Sequence, residues 1–476
     1  MKVLSVASEC APLVKTGGLA DVVGALPAAL LAHGVTSRVL LPGYPAVMER
    51  VSGAETVYER TELYGAAARL LAATVAGIDL LVLDAPHLFK REGSIYLGPD
   101  GADWPDNPER FAALSRVACD IANGAMEDWQ PDVVHAHDWQ AGFAPYYIAR
   151  SPAAGRVGTV MTIHNIAFQG LAPAEKAAKL GVQIEDFHAG GVEYWGQVSA
   201  LKAGIGFAAK PATVSLTYAQ ELLTPHFGMG LEGVLHSRRA DFTGILNGID
   251  TNVWNPATDP EIAAYKTPQG KAKNTLALRA EFGLPDSDGP LCVLISRMTE
   301  QKGLDLLLEA LPTLTDAGGQ LALLGSGDPA LEAAFKAAAD ADPNVSVKIG
   351  YDEALSHRMV AGGDAILVPS RFEPCGLTQM MGLAYGTPPV VALTGGLADT
   401  VIPATPATLA KGVATGIQFY PITAEALSGA LLTLTKLFAD KPTWKKMQRN
   451  AMAHPVGWDS SAAAYAALYR EIADAA

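Results

Sequence analysis

Short apolar runs, partly β-branched, alternate along most of this chain with longer stretches whose apolar residues recur at helical spacing. Lys2–Ala7 has the length of one buried parallel strand and precedes a helical stretch from about Leu19 to His33. Ser37–Leu41 reads as the next strand, ended by Pro42-Gly43. Thr56–Leu83 holds three short strand-like runs, of which Ile78–Leu83 is the clearest. Residues 91–108 are rich in Gly, Pro, Asp and Asn and read as a long loop, and loops of that length are usually functional or disordered. Helical spacing returns over Arg110–Met126. Strands then follow at Asp132–Ala136, Val157–Ile163, Ala212–Ser215 and Phe242–Leu246, with a helical run at Tyr218–Leu223.

Asp250–Pro260 breaks the alternation with Asn, Pro, Thr and Asp, as a connector between domains does. A second series begins after it. Its strands are Leu291–Ser296, Gln320–Leu324, Val345–Ile349, Ala365–Pro369 and Pro389–Ala392. Helical stretches at Leu304–Leu311, Pro329–Ala339, Glu353–Val360 and Gly376–Tyr385 fall between them, and Ala424–Ala439 and about Ser460–Ala473 close the chain. Strand–helix alternation on both sides of a connector predicts an α/β chain with two doubly wound domains. The boundaries expected are 1–245, a linker at 246–260, 261–455, and a final helical segment 456–476. The cleft between two such domains is the default ligand site.

Length and composition fit this division, since 476 residues are too many for one core. A formal charge of −14 argues against partnership with nucleic acid or an anionic membrane, so any Lys or Arg inside a motif gains weight. The four cysteines are scattered, without CxxC or zinc spacing, and read as free thiols in a reducing compartment. No apolar run reaches the ~18 residues of a membrane span, and Glu9 stands where a signal peptide would still be hydrophobic. A cytoplasmic location is expected.

The chemistry gathers at strand ends, where open α/β sheets bind ligands. Behind the first strand come Lys15, Gly17, Gly18 and Asp21. A glycine pair before a helix allows close backbone approach, free N–H groups and the helix dipole favour an anion, and a lysine suits a phosphate. The plain alternative is a tight connection. Asp132–Ala136 runs into His137-Asp138-Trp139, and Val157–Ile163 into His164-Asn165. The His135-x-His137 pair raises a metal site, but no third ligand falls at a recognisable spacing, so a sugar-binding or structural role is expected. In the second half Arg297 follows its strand at once and Lys302 comes five residues later. Two such cations can neutralise a diphosphate without a metal, or be only solvated surface charges. Glu373, ahead of the helix holding Gly376, can cap that helix or reach a sugar hydroxyl. Thr394–Asp399 repeats Thr16–Asp21 residue for residue. Gly325-Ser326-Gly327 lacks the third glycine of a dinucleotide fingerprint, and Asp328 would repel a pyrophosphate.

Taken in order, Lys15–Leu19, His137–Trp139, Thr162–Asn165, Asn247–Asp250, Ser296-Arg297 with Gln301–Gly303, Arg371–Leu377 and Thr394–Asp399 resemble the bacterial-type glycogen/starch synthases. The resemblance spans nearly the whole chain and implies two Rossmann-like domains of the GT-B type facing a central cleft, with the final helix crossing back to the first domain. It implies glucose transfer from ADP-glucose to the non-reducing end of an α-1,4-glucan (glycogen or a maltooligosaccharide), with retention of configuration and with no metal or other cofactor. Carried over by position, Lys15 would contact donor phosphates or glucose, and Arg297 and Lys302 would hold the diphosphate. Charge-assisted bonds of that kind strengthen as the nucleotide leaves. His164 would bind the glucosyl unit, Asp138 would sit near the reacting carbon or the acceptor, and Asn247 would steady the sugar. Glu373 would bind glucose hydroxyls, with N–H groups of Cys375, Gly376, Leu377 and Thr378 on phosphate or sugar. Tyr351 would stack on the adenine unless it is a partly buried core tyrosine, and Asp21, with Gly17 and Gly18 beside it, would touch the ribose.

Met381 stands where many related retaining transferases carry a second glutamate. That leaves Glu373 as the acid of its motif, and front-face return of the leaving phosphate is preferred to a covalent glycosyl-carboxylate. The competing readings are the same transfer from UDP-glucose and a catalytically silent glucan-binding or regulatory protein. Oligomeric state is not legible in the chain.

Overall fold

Strand β1 (Lys2–Val6) is the middle of a nine-stranded, mostly parallel sheet, buried from Val3 onward, and the first unit is built outward from it. The computed structural model describes residues 1–475. The chain divides into two compact units, one holding residues 1–247 and the end of the chain from Trp458, the other Gly248–Gly457.

In the first unit β1 is flanked by β2 (Thr36–Pro42) on one side, then by the antiparallel meander β3 (Glu55–Leu63), β4 (Ala66–Val75) and β5 (Ile78–Asp84). On its other side lie β6 (Val133–His137), β7 (Gly158–Ile163), β11 (Lys210–Thr213) and β12 (Thr243–Gly244). Their order, β12-β11-β7-β6-β1-β2-β5-β4-β3, reverses direction between β1 and β6. A doubly wound sheet opens its crevice at such a reversal, beyond the strands' carboxyl ends. The three runs expected in 56–83 are the three meander strands. A small antiparallel sheet of β8 (Leu171–Pro173), β9 (Glu193–Tyr194) and β10 (Gln197–Ser199) has no counterpart in the expected elements. Strands of two and three residues are too short to show an alternation. Helix Ala200–Phe207 behind it was also missed; it starts at Ser199, whose Oγ accepts the Lys202 N–H.

The final helix Asp459–Ala475 packs on this unit. Tyr465, Ala466, Tyr469 and Ile472 are buried among Val3, Val22, Leu26, Val133 and Val160. Gly158 makes the contact possible, because a Cβ there would lie 2.3 Å from Ile472 Cγ2. Each large side chain buried this way is worth roughly 1.5–3 kcal/mol, so the helix is a structural part of the first unit.

The second unit has a parallel sheet of β13 (Leu291–Ile295), β14 (Gln320–Gly325), β15 (Val345–Ile349), β16 (Ala365–Val368), β17 (Pro389–Ala392) and β18 (Ile417–Phe419). Its order is β15-β14-β13-β16-β17-β18, so the reversal falls between β13 and β16. That is the 3-2-1-4-5-6 winding of a Rossmann-like domain. Leu307, Leu311 and Leu314 from helix Leu304–Asp316 and Leu427, Leu431 and Leu434 from helix Ala424–Ala439 line one side of it.

Residues 250–260 pack as part of this unit rather than running as a bare connector. Asp259 is buried and accepts from His357 Nδ1 at 2.7 Å and from Tyr385 Oη, while Trp254 stacks on the His357 ring at 3.9 Å. A carboxylate out of water needs such donors, and taking it away strands both of them. Asp259→Ala is therefore expected to lower the unfolding free energy of this unit by about 3 kcal/mol. A urea titration checks this, and an unchanged midpoint would mean that the cluster carries no load.

Candidate active site

In the first unit the site is built at the β1/β6 reversal. Glu9, three residues past β1, is 3% exposed, and its carboxylate would be costly without donors. It accepts from the Thr16 N–H, from Thr16 Oγ1 at 2.6 Å, from the Gly17 N–H at 3.2 Å and from Tyr96 Oη at 2.5 Å. This corrects the reading of the glycine loop as a set of free N–H groups awaiting an anion. Two of those groups are spent on the protein's own carboxylate, which curls the loop and holds Lys15 at its tip. Tyr96, which also bonds Ser8 Oγ at 2.7 Å, fastens the 91–108 loop to the same point. Neither Glu9 nor Tyr96 was singled out as a site residue. An acid placed directly behind a buried strand was the available signal.

Lys15 Nζ lies 2.8 Å from Asp21 Oδ1, with about a third of each side chain exposed. Such a pair is worth only about 0–1 kcal/mol, so a ligand phosphate can compete for the lysine. The two Thr-Gly-Gly-Leu-Ala-Asp copies prove different in mechanics. A Cβ on Gly17 would meet nothing within 4 Å, whereas on Gly395 (φ +43°) or Gly396 it would lie about 2 Å from the carbonyl of Glu373 or Cys375. Gly17 stands in open space ahead of the helix that Gly18 begins. The second glycine pair lets helix Gly395–Thr400 press on the Glu373–Cys375 turn, where the Gly396 N–H donates to Glu373 O at 3.0 Å.

Asp138, one residue past β6, has φ +54° and ψ −174°, a region that a non-glycine residue enters only when its surroundings fix it. Its Oδ1 accepts the backbone N–H of His164 at 2.7 Å and of Asn165 at 3.3 Å, tying the ends of β6 and β7 together. Burial pushes this carboxyl up to about 7, against the pull of those two N–H groups, with nearby Glu9 adding to the rise. His164 is half-buried and burial holds its imidazole neutral, with its pKa lowered to about 3. Asn247 is 5% exposed and its Oδ1 has no hydrogen-bond partner among the described residues, so a buried acceptor stands ready for a ligand hydroxyl.

His135 and His137 have all four ring nitrogens engaged by protein groups. Their nitrogens face Tyr469 Oη, Thr162 Oγ1, Ser5 Oγ and His164 Nε2. Among the described residues no group of three or more His, Cys, Asp or Glu is arranged to hold a metal ion.

In the second unit the site again sits at the reversal. Lys302 Nζ is 2.6 Å from Glu373 Oε2, and Ser370 Oγ donates to the same oxygen at 2.8 Å, so the groups after β13 and after β16 meet. Glu373 is therefore not a helix cap, since helix Thr378–Ala384 starts five residues on with no side-chain cap. Gly303 (φ +64°) turns the chain into helix Leu304–Asp316 where a Cβ would lie 2.1 Å from the Pro369 carbonyl. Arg297 is exposed and has no ion-pair partner among the described residues. Gly376 (φ +70°) leads into the Cys375–Thr378 turn, which Gln379 Nε2 holds by donating to the carbonyls of Cys375 and Gly376, both at 3.0 Å. Tyr351 is 74% exposed with its hydroxyl 2.9 Å from Glu353 Oε2, so it is no core tyrosine. The Gly325–Gly327 turn packs on Ser296 and Met298, and Asp328 caps its own helix, leaving no pyrophosphate seat.

Residues 2–237 match the family described as starch synthase catalytic domain and residues 289–436 match glycosyl transferases group 1. The chain is 61% identical over 472 residues to a glycogen synthase of Paracoccus denitrificans (strain Pd 1222), covering 99% of both chains. It matches the catalytic domain of starch synthase IV from Arabidopsis thaliana, solved with ADP and acarbose, with TM-score 0.89, 32% identity and 99% of both chains covered. A sucrose-phosphate synthase from Thermosynechococcus elongatus shares the fold, with TM-score 0.61, 17% identity and all of both chains covered.

Asp138 gives a signed pH prediction. Its pKa is raised in the folded chain, so between about 4 and 7 the folded state holds the extra proton and stability falls as pH rises through that window. Asp138→Asn keeps an acceptor without the charge. Relative to the parent it should gain on the order of 3 kcal/mol in stability from pH 4 to pH 7, read by urea midpoints at each pH. A difference that stays flat across the window would contradict the buried-carboxylate assignment.

Proposed function

The chain belongs to the glycogen/starch synthase family of GT-B glycosyltransferases, and from that premise we propose that it transfers glucose from ADP-glucose to the non-reducing end of an α-1,4-glucan, elongating glycogen in the cytoplasm. The observation that carries this reading is the pairing of groups at both sheet reversals, Asp138 with the His164 backbone in one unit and Lys302 with Glu373 in the other. The ADP in the starch synthase structure supports the adenine donor.

In this reading Arg297 and Lys302 hold the diphosphate. Arg297 carries a charge without an internal partner, and Lys302 can turn from Glu373 as negative charge grows on the departing phosphate, where stabilisation lowers the barrier. Glu373, with the Cys375–Thr378 turn, takes glucose hydroxyls, and Tyr351 offers an exposed ring to the adenine. His164 and Asn247 bind the sugar, Lys15 reaches the donor from its loop, with Gly17 and Gly18 leaving room and Asp21 near the ribose, and Asp138 faces the reacting carbon or the acceptor. In this reading Arg297 and Lys302 neutralise the diphosphate, so the transfer needs no metal. Retention is read as front-face return, because Asp138 and Glu373 are both already engaged by donors and make poor nucleophiles. Trapping a covalent glucosyl adduct on either carboxylate would overturn that preference.

The test is glycogen with ADP-glucose or UDP-glucose in separate chelator-treated reactions, following nucleoside diphosphate release. Faster release from ADP-glucose is expected. Faster release from UDP-glucose would reverse the donor assignment, and none from either would favour a silent glucan-binding protein. Arg297→Ala is expected to lower kcat by about 100–1000-fold, the loss seen when one donor to developing charge is removed. Lys15→Ala should raise the KM for the donor with the melting temperature unchanged, and unaltered donor kinetics would remove Lys15 from the site.

A further inference from the structure

The mechanism above uses His164 and leaves unexplained why two more buried histidines stand behind it. His137, the last residue of β6, places Nδ1 3.0 Å from His164 Nε2 and Nε2 3.1 Å from Ser5 Oγ on β1. It is wholly buried. His135 lies against it with ring centroids 4.0 Å apart, and is itself held by Thr162 Oγ1 at 2.7 Å and by Tyr469 Oη of the final helix at 2.8 Å. A solvated surface histidine needs none of this. Three strands and a helix are spent on fixing one ring.

We propose that His137 is a positioning residue of glucosyl transfer, which fixes the tautomer and ring plane of His164 so that His164 Nδ1 addresses the sugar. This rests on the reading of His164 as a sugar-binding group. A neutral imidazole has one N–H and one lone pair. Burial without a carboxylate beside their rings keeps both rings neutral, so the bond between His137 Nδ1 and His164 Nε2 has one donor and one acceptor. His164 Nε2 is thereby committed inside the protein, and Nδ1, which has no partner among the described residues, is the nitrogen left for a ligand. Ser5 closes the chain on the far side by engaging His137 Nε2, and its hydroxyl can donate or accept, so the tautomers of His137 and His164 are coupled and change only together. Without His137 the His164 ring can turn and exchange tautomers. Misplacement of a binding group by about 1 Å can cost about 100-fold in rate.

The shapes of Asn and Gln separate positioning from mere packing. An Asn amide lies near the place of a histidine's Nδ1 and can still bond His164. A Gln amide lies near the place of Nε2 and can reach Ser5 but not His164. His137→Asn is expected to keep kcat within about fivefold of the parent, and His137→Gln to lose about 10–100-fold in kcat with less than a threefold change in the KM for glycogen. Nitrogen-15 NMR of His164 should show one tautomer in the parent and in His137→Asn, and a mixture in His137→Gln. Equal kcat in the two variants, whether high or low, or one unchanged tautomer in both, would overturn the proposal. His164→Ala is the control on the premise. If it transfers glucose as fast as the parent, the sugar-binding reading of His164 fails, whatever His137 does.

Discussion

A carboxylate taken out of water must be given donors, and this constraint shapes the strand ends of each unit. Glu9 draws in the Thr16 and Gly17 N–H groups and the Tyr96 hydroxyl, and so folds the Lys15 loop and pins the 91–108 loop. Asp138 takes the N–H groups of His164 and Asn165 and joins the ends of two strands. Glu373 takes Lys302 and Ser370 and joins the segments after β13 and β16. In each case the acid stands just past a strand at a sheet reversal, and the loops that carry the chemistry are arranged around it.

These contacts differ in strength, and the difference has a functional sense. Backbone N–H groups that bond Asp138 cannot leave without unravelling the strand end, so that carboxylate stays fixed and pays for burial with a raised pKa. Lys302 and Lys15 hold their acids through flexible stems, and such side chains can be redirected when a ligand brings more charge. Fixed acids and movable cations are what a site needs if the negative charge it handles develops only during the reaction.

Much of this was legible in the chain. Strand–helix alternation is a period signal, and it located the parallel strands of both units except the three-residue edge strand β18, together with the polar residues that close them, among them Asp138, His164, Arg297 and Glu373. The short sheet around Glu193–Tyr194 was not legible, because strands of two or three residues have no period. Nor were the partners of the acids. Glu9 meets Tyr96 across 87 positions and His135 meets Tyr469 across 334, distances at which no local pattern speaks. The glycine loop was misread for a related reason. Its N–H groups look free in sequence, and only the fold brings Glu9 back to fill them.

The chemistry of the new bond decides whether this chain is the transferase proposed. Proton NMR of the product formed from maltotriose and ADP-glucose reports the linkage and its anomeric configuration. Maltotetraose is expected, with a new α-1,4 bond at the non-reducing end. A β-linked product, or free glucose without chain growth, would contradict it.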